Sequence, residues 1–204
     1  MKRIGYDEVL EFLMYIGTLG YVIYGVISKE YMYSLNGVLT LVVIAAPRVL
    51  MKIFNFNATT FLKFLVQFFI FVSMFLGRLN GFYGKVPHWD TFLHTLSGFI
   101  IFLVAYVVFI VQNKGEVKNV NPTLVVTYCV LFAIAMTALW EIWEFAGDQL
   151  LGLSSQGGSL LDTMKDIITG SIGPVVLCPF LLGNLKGKKN KLFDDLTFLV
   201  LKRK

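Results

Sequence analysis

The chain has 204 residues, 56% of them hydrophobic and 15% charged, where a soluble domain carries about 25% charged residues. Apolar runs of membrane length recur along it, which excludes a water-soluble globular fold and predicts an all-α, polytopic membrane protein. The formal net charge of +5 lies largely in a lysine-rich C-terminus, so it reads as an orientation or lipid-headgroup signal and not as a nucleic-acid surface.

Six spans are predicted, forming one bundle. The first runs from about Val9 to Ile27. Lys2 and Arg3 precede it, but the acids Asp7, Glu8 and Glu11 follow and there is no small-residue cleavage site, so it is expected to be retained as a helix. The second runs from about Leu35 to Ala46, ending at Pro47-Arg48 or extending to Ile53. The third covers about Thr60 to Leu79, and the fourth about Asp90 to Gln112. The fifth starts at Pro122, where Asn121-Pro122 supplies a cap followed by proline at the first helical position, and ends near Gly147. The sixth covers about Asp162 to Leu185, with Pro174 and Pro179 expected to bend it. Residues 1–204 read as a single integral membrane domain, with 1–80 a helical scaffold, 87–183 the motif-bearing half and 186–204 a basic tail. Cys129 and Cys178 lie inside spans and are expected as small apolar residues without a disulfide.

Lys and Arg set the orientation. Six spans put both termini on one side, which collects 13 of the 18 basic residues; the other side collects Lys29, Arg78 and Lys85. Both termini are therefore expected in the cytoplasm.

Between Glu141 and Asp166 the chain reads W-E-I-W-E-F-A-G-D-Q, a Gly/Ser-rich link from Gly152 to Ser159, and L-D-T-M-K-D. Glu141, Glu144, Asp148, Asp162 and Asp166 thus crowd into one stretch of a charge-poor chain. The spacings are helical: Asp90 and His94 are i, i+4; Glu141, Glu144 and Asp148 are i, i+3, i+7; Asp162 and Asp166 are i, i+4, and Gly170 and Gly173 continue that face. The orientation above brings all seven side chains to the extracytoplasmic ends of three spans.

At about 1.5 Å rise per residue, His94 lies about 6 Å below Asp90, and Asp166 the same distance below Asp162. Two layers follow. The deeper holds His94, Glu141 and Asp166; the outer holds Asp90, Glu144, Asp148 and Asp162. Carboxylates facing one another inside a membrane repel unless cations or shared protons neutralise them. Carboxylates with one imidazole suit Mg²⁺, Mn²⁺, Fe²⁺ or Zn²⁺. In this reading His94, Glu141 and Asp166 are metal ligands, Glu144 and Asp90 serve as further ligand or general base, and Asp148 and Asp162 belong to the outer layer. Taken alone, several of these residues have blander roles. Asp162 would cap the sixth helix, Asp148 would mark the water boundary, Trp89, Trp140 and Trp143 would form an interfacial belt, and the glycines would allow close packing.

At these residues the chain resembles the YjdF type of bacterial membrane protein. That signature reads D-x3-H-x3-G, E-x2-E-x3-D and D-T-x2-D followed by glycines, matched here by Asp90, His94 and Gly98, by Glu141, Glu144 and Asp148, and by Asp162, Thr163, Asp166 and Gly173. The match covers roughly Pro87 to Gly183. More distantly the chain is similar to VanZ-like proteins, from which it departs at Thr91, Glu144 and Gly170. The resemblance implies a multi-pass protein of the bacterial cytoplasmic membrane and strengthens the site without implying a reaction.

Three functions stay open. One is a metal-dependent hydrolase or transferase acting on a lipid, lipid-linked or other envelope substrate. G-x-S-x-G is absent, which argues against covalent serine chemistry. The second is a cation- or proton-coupled transporter, for which the opposite half offers only Glu11, Lys63 and Gln67. The third is a non-catalytic envelope resistance, immunity or assembly factor. The bilayer is the expected partner in all three.

Overall fold

The structure is a computed structural model and describes residues 5–54, 57–117, 119–157 and 159–201. Lys2, Arg3, Lys118 and the terminal Lys202, Arg203 and Lys204, which enter the charge asymmetry, lie outside these residues, as does Gly158 of the predicted link. Among the described residues the secondary structure is entirely helical. Six helices are long and apolar enough to cross a membrane, and their order matches the six predicted spans. The protein is therefore a multi-pass, all-α membrane protein. The chain divides into two compact units, Met1–Trp89 and Asp90–Lys204.

The first unit contains α1 (Tyr6–Ile27), α2 (Tyr31–Ile53), α3 (Thr60–Ile70) and the short α4 (Phe82–Lys85). A π-helical stretch, Phe71–Leu79, carries α3 onward, so together they make the third predicted span. α1 begins at Gly5, whose amide donates to the Glu8 carboxylate at 3.2 Å. The acids of its first turn also suit the positive end of the helix dipole. α3 begins at Thr59, whose hydroxyl accepts from Leu62 N at 3.0 Å. Met14, Ile44 and Ile70, one from each helix, form the buried centre.

The second span does not end at Pro47. α2 continues through it to Ile53. Proline inside a spanning helix frees one carbonyl, and neighbouring groups in a bundle absorb that loss. The extension brings Arg48 to Glu11, with Nε 2.6 Å from both carboxylate oxygens. An arginine counted toward orientation is thus also the partner of a buried acid.

The second unit contains α5 (Trp89–Gln112), α6 (Pro122–Leu151), α7 (Leu160–Leu185) and α8 (Lys191–Leu201). Asn121 caps α6 as expected, accepting from Thr123 N at 2.9 Å, with Pro122 next. α6 runs one turn beyond its predicted end and closes at Gly152, which takes the left-handed conformation (φ 67°) that a helix-terminating residue needs. α7 starts at Ser159, whose hydroxyl accepts from Leu161 N at 3.2 Å. Ser159, not Asp162, is therefore its cap.

The residues after 185 are more than a basic tail. α8 buries Phe193 and Leu196 completely, with Tyr106 of α5 stacked edge-on to Phe193 and hydrogen-bonded to Thr197 at 2.8 Å. Its amphipathic pattern was hidden among the surrounding lysines. Cys129 and Cys178 are free thiols.

Candidate metal centre

Glycines at a crossing bring the three motif-bearing helices together. A Cβ on Gly98 of α5 would run into the carbonyl oxygen of Gly170 on α7. One on Gly173 would strike the backbone at Gly98 and Phe99, and one on Gly170 would meet Thr137 of α6. With no side chains between them, α5 and α7 close to backbone distance, and α6 packs on α7 through the Thr137 side chain. His94 sits one turn before Gly98, and Asp166 one turn before Gly170. The crossing therefore delivers both side chains to the same place.

There, one ligand atom each from Asp90, His94 and Asp166 lies within 4.8 Å of the others. Two ligands on one metal sit roughly 3–4 Å apart when each bond is about 2.1 Å. A side-chain movement of under about 1 Å thus turns the triad into a coordination set. Glu141 joins it through the histidine: His94 Nε2 is 3.6 Å from Glu141 Oε1 and 3.7 Å from Asp90 Oδ1. Both separations exceed a hydrogen bond, leaving a gap between imidazole and carboxylates. His94, Glu141 and Asp166 are 6%, 3% and 1% exposed, so all three are buried. Among the described residues, Glu141 Oε1 and Asp166 Oδ1 have no hydrogen-bond donor. Buried acceptors of this kind normally have one.

Asp90 was placed by depth in an outer layer, yet it belongs to the triad. Side chains at i and i+4 meet across one helical turn, and reach offsets the axial difference. The other outer residues are half-buried and separately engaged. Glu144 accepts from Trp140 Nε1 at 3.0 Å. Asp162 pairs with Lys165 at 2.6 Å. Asp148 accepts from the amides of Ser155 and Gln156 at 2.7 and 3.0 Å, which pins the link after α6. Gln156 in turn donates to Thr163 of α7 at 2.7 Å. Trp140 and Trp143 are exposed on α6, as an interfacial belt requires.

Sequence reasoning passed over a cleft of about 750 Å³ in this unit, between α6, α7 and the pinned link, with Glu141 on its wall. It also passed over Thr137, which seats Gly170. The cleft's apolar lining residues are scattered over two helices and the link, and carry no motif. Of its lining, Glu141, Asp148 and Thr163 were visible as parts of E-x2-E-x3-D and D-T-x2-D.

A curated protein of Thermotoga maritima described as an uncharacterized protein is 29% identical over 128 residues, covering 63% of this chain. This chain spans 65% of that relative's length. No solved structure matches the chain. The family model for a predicted membrane protein (DUF2238) matches residues 9–187, and the chain belongs to that family.

Proposed function

We propose that the protein holds a divalent cation between Asp90, His94 and Asp166, with Glu141 as a further ligand, and acts as a metal-dependent hydrolase or transferase on a lipid or lipid-linked envelope substrate. The observation that carries this reading is the convergence of ligating atoms from α5 and α7, with Glu141 of α6 3.6 Å from His94, and two buried carboxylate oxygens without donors among the described residues. A divalent cation neutralises that charge, and when bound it supplies Lewis acidity and lowers the pKa of water. The chain's own residues do the rest. The glycine crossing fixes the ligand spacing, and Glu144, one turn from Glu141, is the general base, oriented by Trp140. The Lys and Arg asymmetry supports cytoplasmic termini and an extracytoplasmic site, in the cytoplasmic membrane of a bacterium. On this reading the first 80 residues serve as scaffold within one membrane domain.

Elemental analysis of detergent-purified protein tests the proposal. Wild type is expected to carry one Mg, Mn, Fe or Zn per chain, with His94→Ala and Glu141→Ala each retaining at least about ten-fold less. A metal-free wild type after gentle purification, or variants as loaded as wild type, would overturn it.

One observation favours a cation- or proton-coupled carrier as a second reading. Asp7 and Gln67 in the first unit are 3% exposed, and Asp7 Oδ1 and Gln67 Oε1 also have no donor among the described residues. Cation or proton flux in sealed vesicles, abolished by Asp7→Asn, would place this reading first.

A further inference from the structure

The cleft between α6 and α7 has the makeup of a binding site for one class of molecule. Its volume of about 750 Å³ is that of a ligand pocket. Its walls are Ala138, Ile142, Phe145, Leu160 and Ile167, and the link over it adds Leu153. Ile142, Phe145 and Leu160 are 60%, 53% and 77% exposed, and they belong to spans whose outer surface meets bilayer hydrocarbon. A water-soluble substrate gains nothing from such walls, whereas an alkyl or isoprenoid chain leaves bilayer hydrocarbon for surroundings of the same apolar kind at little cost.

The cleft is not wholly apolar. Glu141 stands on its wall, buried, with Oε1 lacking a donor and 3.6 Å from His94. Thr163, Ser154 and Ser159 contribute hydroxyls. The cleft therefore leads from the lipid-facing surface of α6 and α7 to the carboxylate that borders the triad. Electrostatics then selects the headgroup. Glu141 and Asp148 both line the cleft, so an anionic head is repelled by the bare protein and attracted once a divalent cation is present. A zwitterionic head has no such dependence.

We infer that the α6/α7 cleft is the substrate site, and that it takes a phosphate-headed amphiphile from the bilayer, its chain against Ile142, Phe145 and Leu160 and its phosphate toward Glu141 and the triad. The inference rests on the metal-site reading above and adds the substrate class and its route.

The test uses the full chain in nanodiscs with tail-diazirine photoprobes: phosphatidic acid, a prenyl monophosphate, and phosphatidylcholine as the zwitterionic control. With Mn²⁺ present, a phosphate-headed probe is expected to label residues 138–167 at least ten-fold more than in chelator, and phosphatidylcholine to show no metal dependence. Whether the acyl or the prenyl probe labels more identifies the chain type. Ala138→Phe and Leu160→Trp, which fill the cleft without touching a ligand, are expected to remove that labelling and keep the metal; Leu160 is exposed, so its variant guards against misfolding in the first. Metal-loaded wild type with labelling spread evenly over the lipid-facing helices, or unchanged in both variants, overturns the substrate inference alone. Wild type without metal in the same samples overturns the metal reading, and this inference with it.

Discussion

Asp166 is 1% exposed, and its Oδ1 has no donor among the described residues. An acceptor buried in this way destabilises the metal-free protein by about 1–3 kcal/mol. Asp166→Asn removes the charge and turns a donor toward the neighbouring carboxylates. In excess chelator it is expected to melt at a higher temperature than wild type. Added Mn²⁺ should reverse that order, because the variant has lost a ligand. A variant that melts lower in chelator would show that the carboxylate is satisfied by other means. Protons compete with a metal for His94 and the carboxylates, so metal retention is expected to fall as pH is lowered, measured by elemental analysis after dialysis. At this scale the sequence was informative where partners share a helix. Asp90 and His94 lie one turn apart, and their spacing announced the pair. The partners of Asp148 were hidden because they are backbone amides of an irregular link, a type of donor that no residue identity reveals.

The elements carry two further predictions. Gly98→Ala puts a methyl group against the Gly170 carbonyl, and overpacking of this kind is destabilising by about 1–3 kcal/mol. Because the same contact sets the triad spacing, the variant is expected to lose metal as well as thermal stability. Retained metal in a destabilised variant would separate the crossing from the site. Asp148→Ala acts on another element. It removes two amide partners from Ser155 and Gln156, so hydrogen exchange at 153–157 should accelerate at least ten-fold while metal content stays at the wild-type level. Helix order and type were legible from apolar length, and the start of α6 from Asn121-Pro122. Whether α2 ended at Pro47 or passed through it to Ile53 was left open, because whether a helix survives a proline depends on the neighbours that absorb the freed carbonyl. α8 escaped notice for a related reason. Among the described residues its buried apolar face is Phe193 and Leu196, and it becomes visible when Tyr106 is seen to cover it.

At the scale of the molecule, the charge asymmetry predicts that a fluorescent protein fused after Lys204 will fold and fluoresce, whereas alkaline phosphatase fused there will be inactive. The opposite pair of results would reverse the orientation and put the site on the cytoplasmic side. The acids Asp7 and Glu11, just before and just inside the predicted start of the first span, are buried in the first unit, and Glu11 is engaged by Arg48. Arg48→Ala is expected to destabilise the protein by about 1–3 kcal/mol by leaving that carboxylate unpaired, read as a lower melting temperature. Long-range pairing of this kind joins residues 37 positions apart, and no local pattern signals it.

The triad of Asp90, His94 and Asp166 takes its spacing from glycine backbones at the crossing, whereas the cleft takes its shape from side chains such as Phe145 and Leu160. Mutation can therefore remodel the walls while the triad stays in place. On the proposed reading, drift among relatives would alter which molecule is accepted before it altered the metal site, and a laboratory evolving a new preference would randomise the walls and leave the crossing untouched.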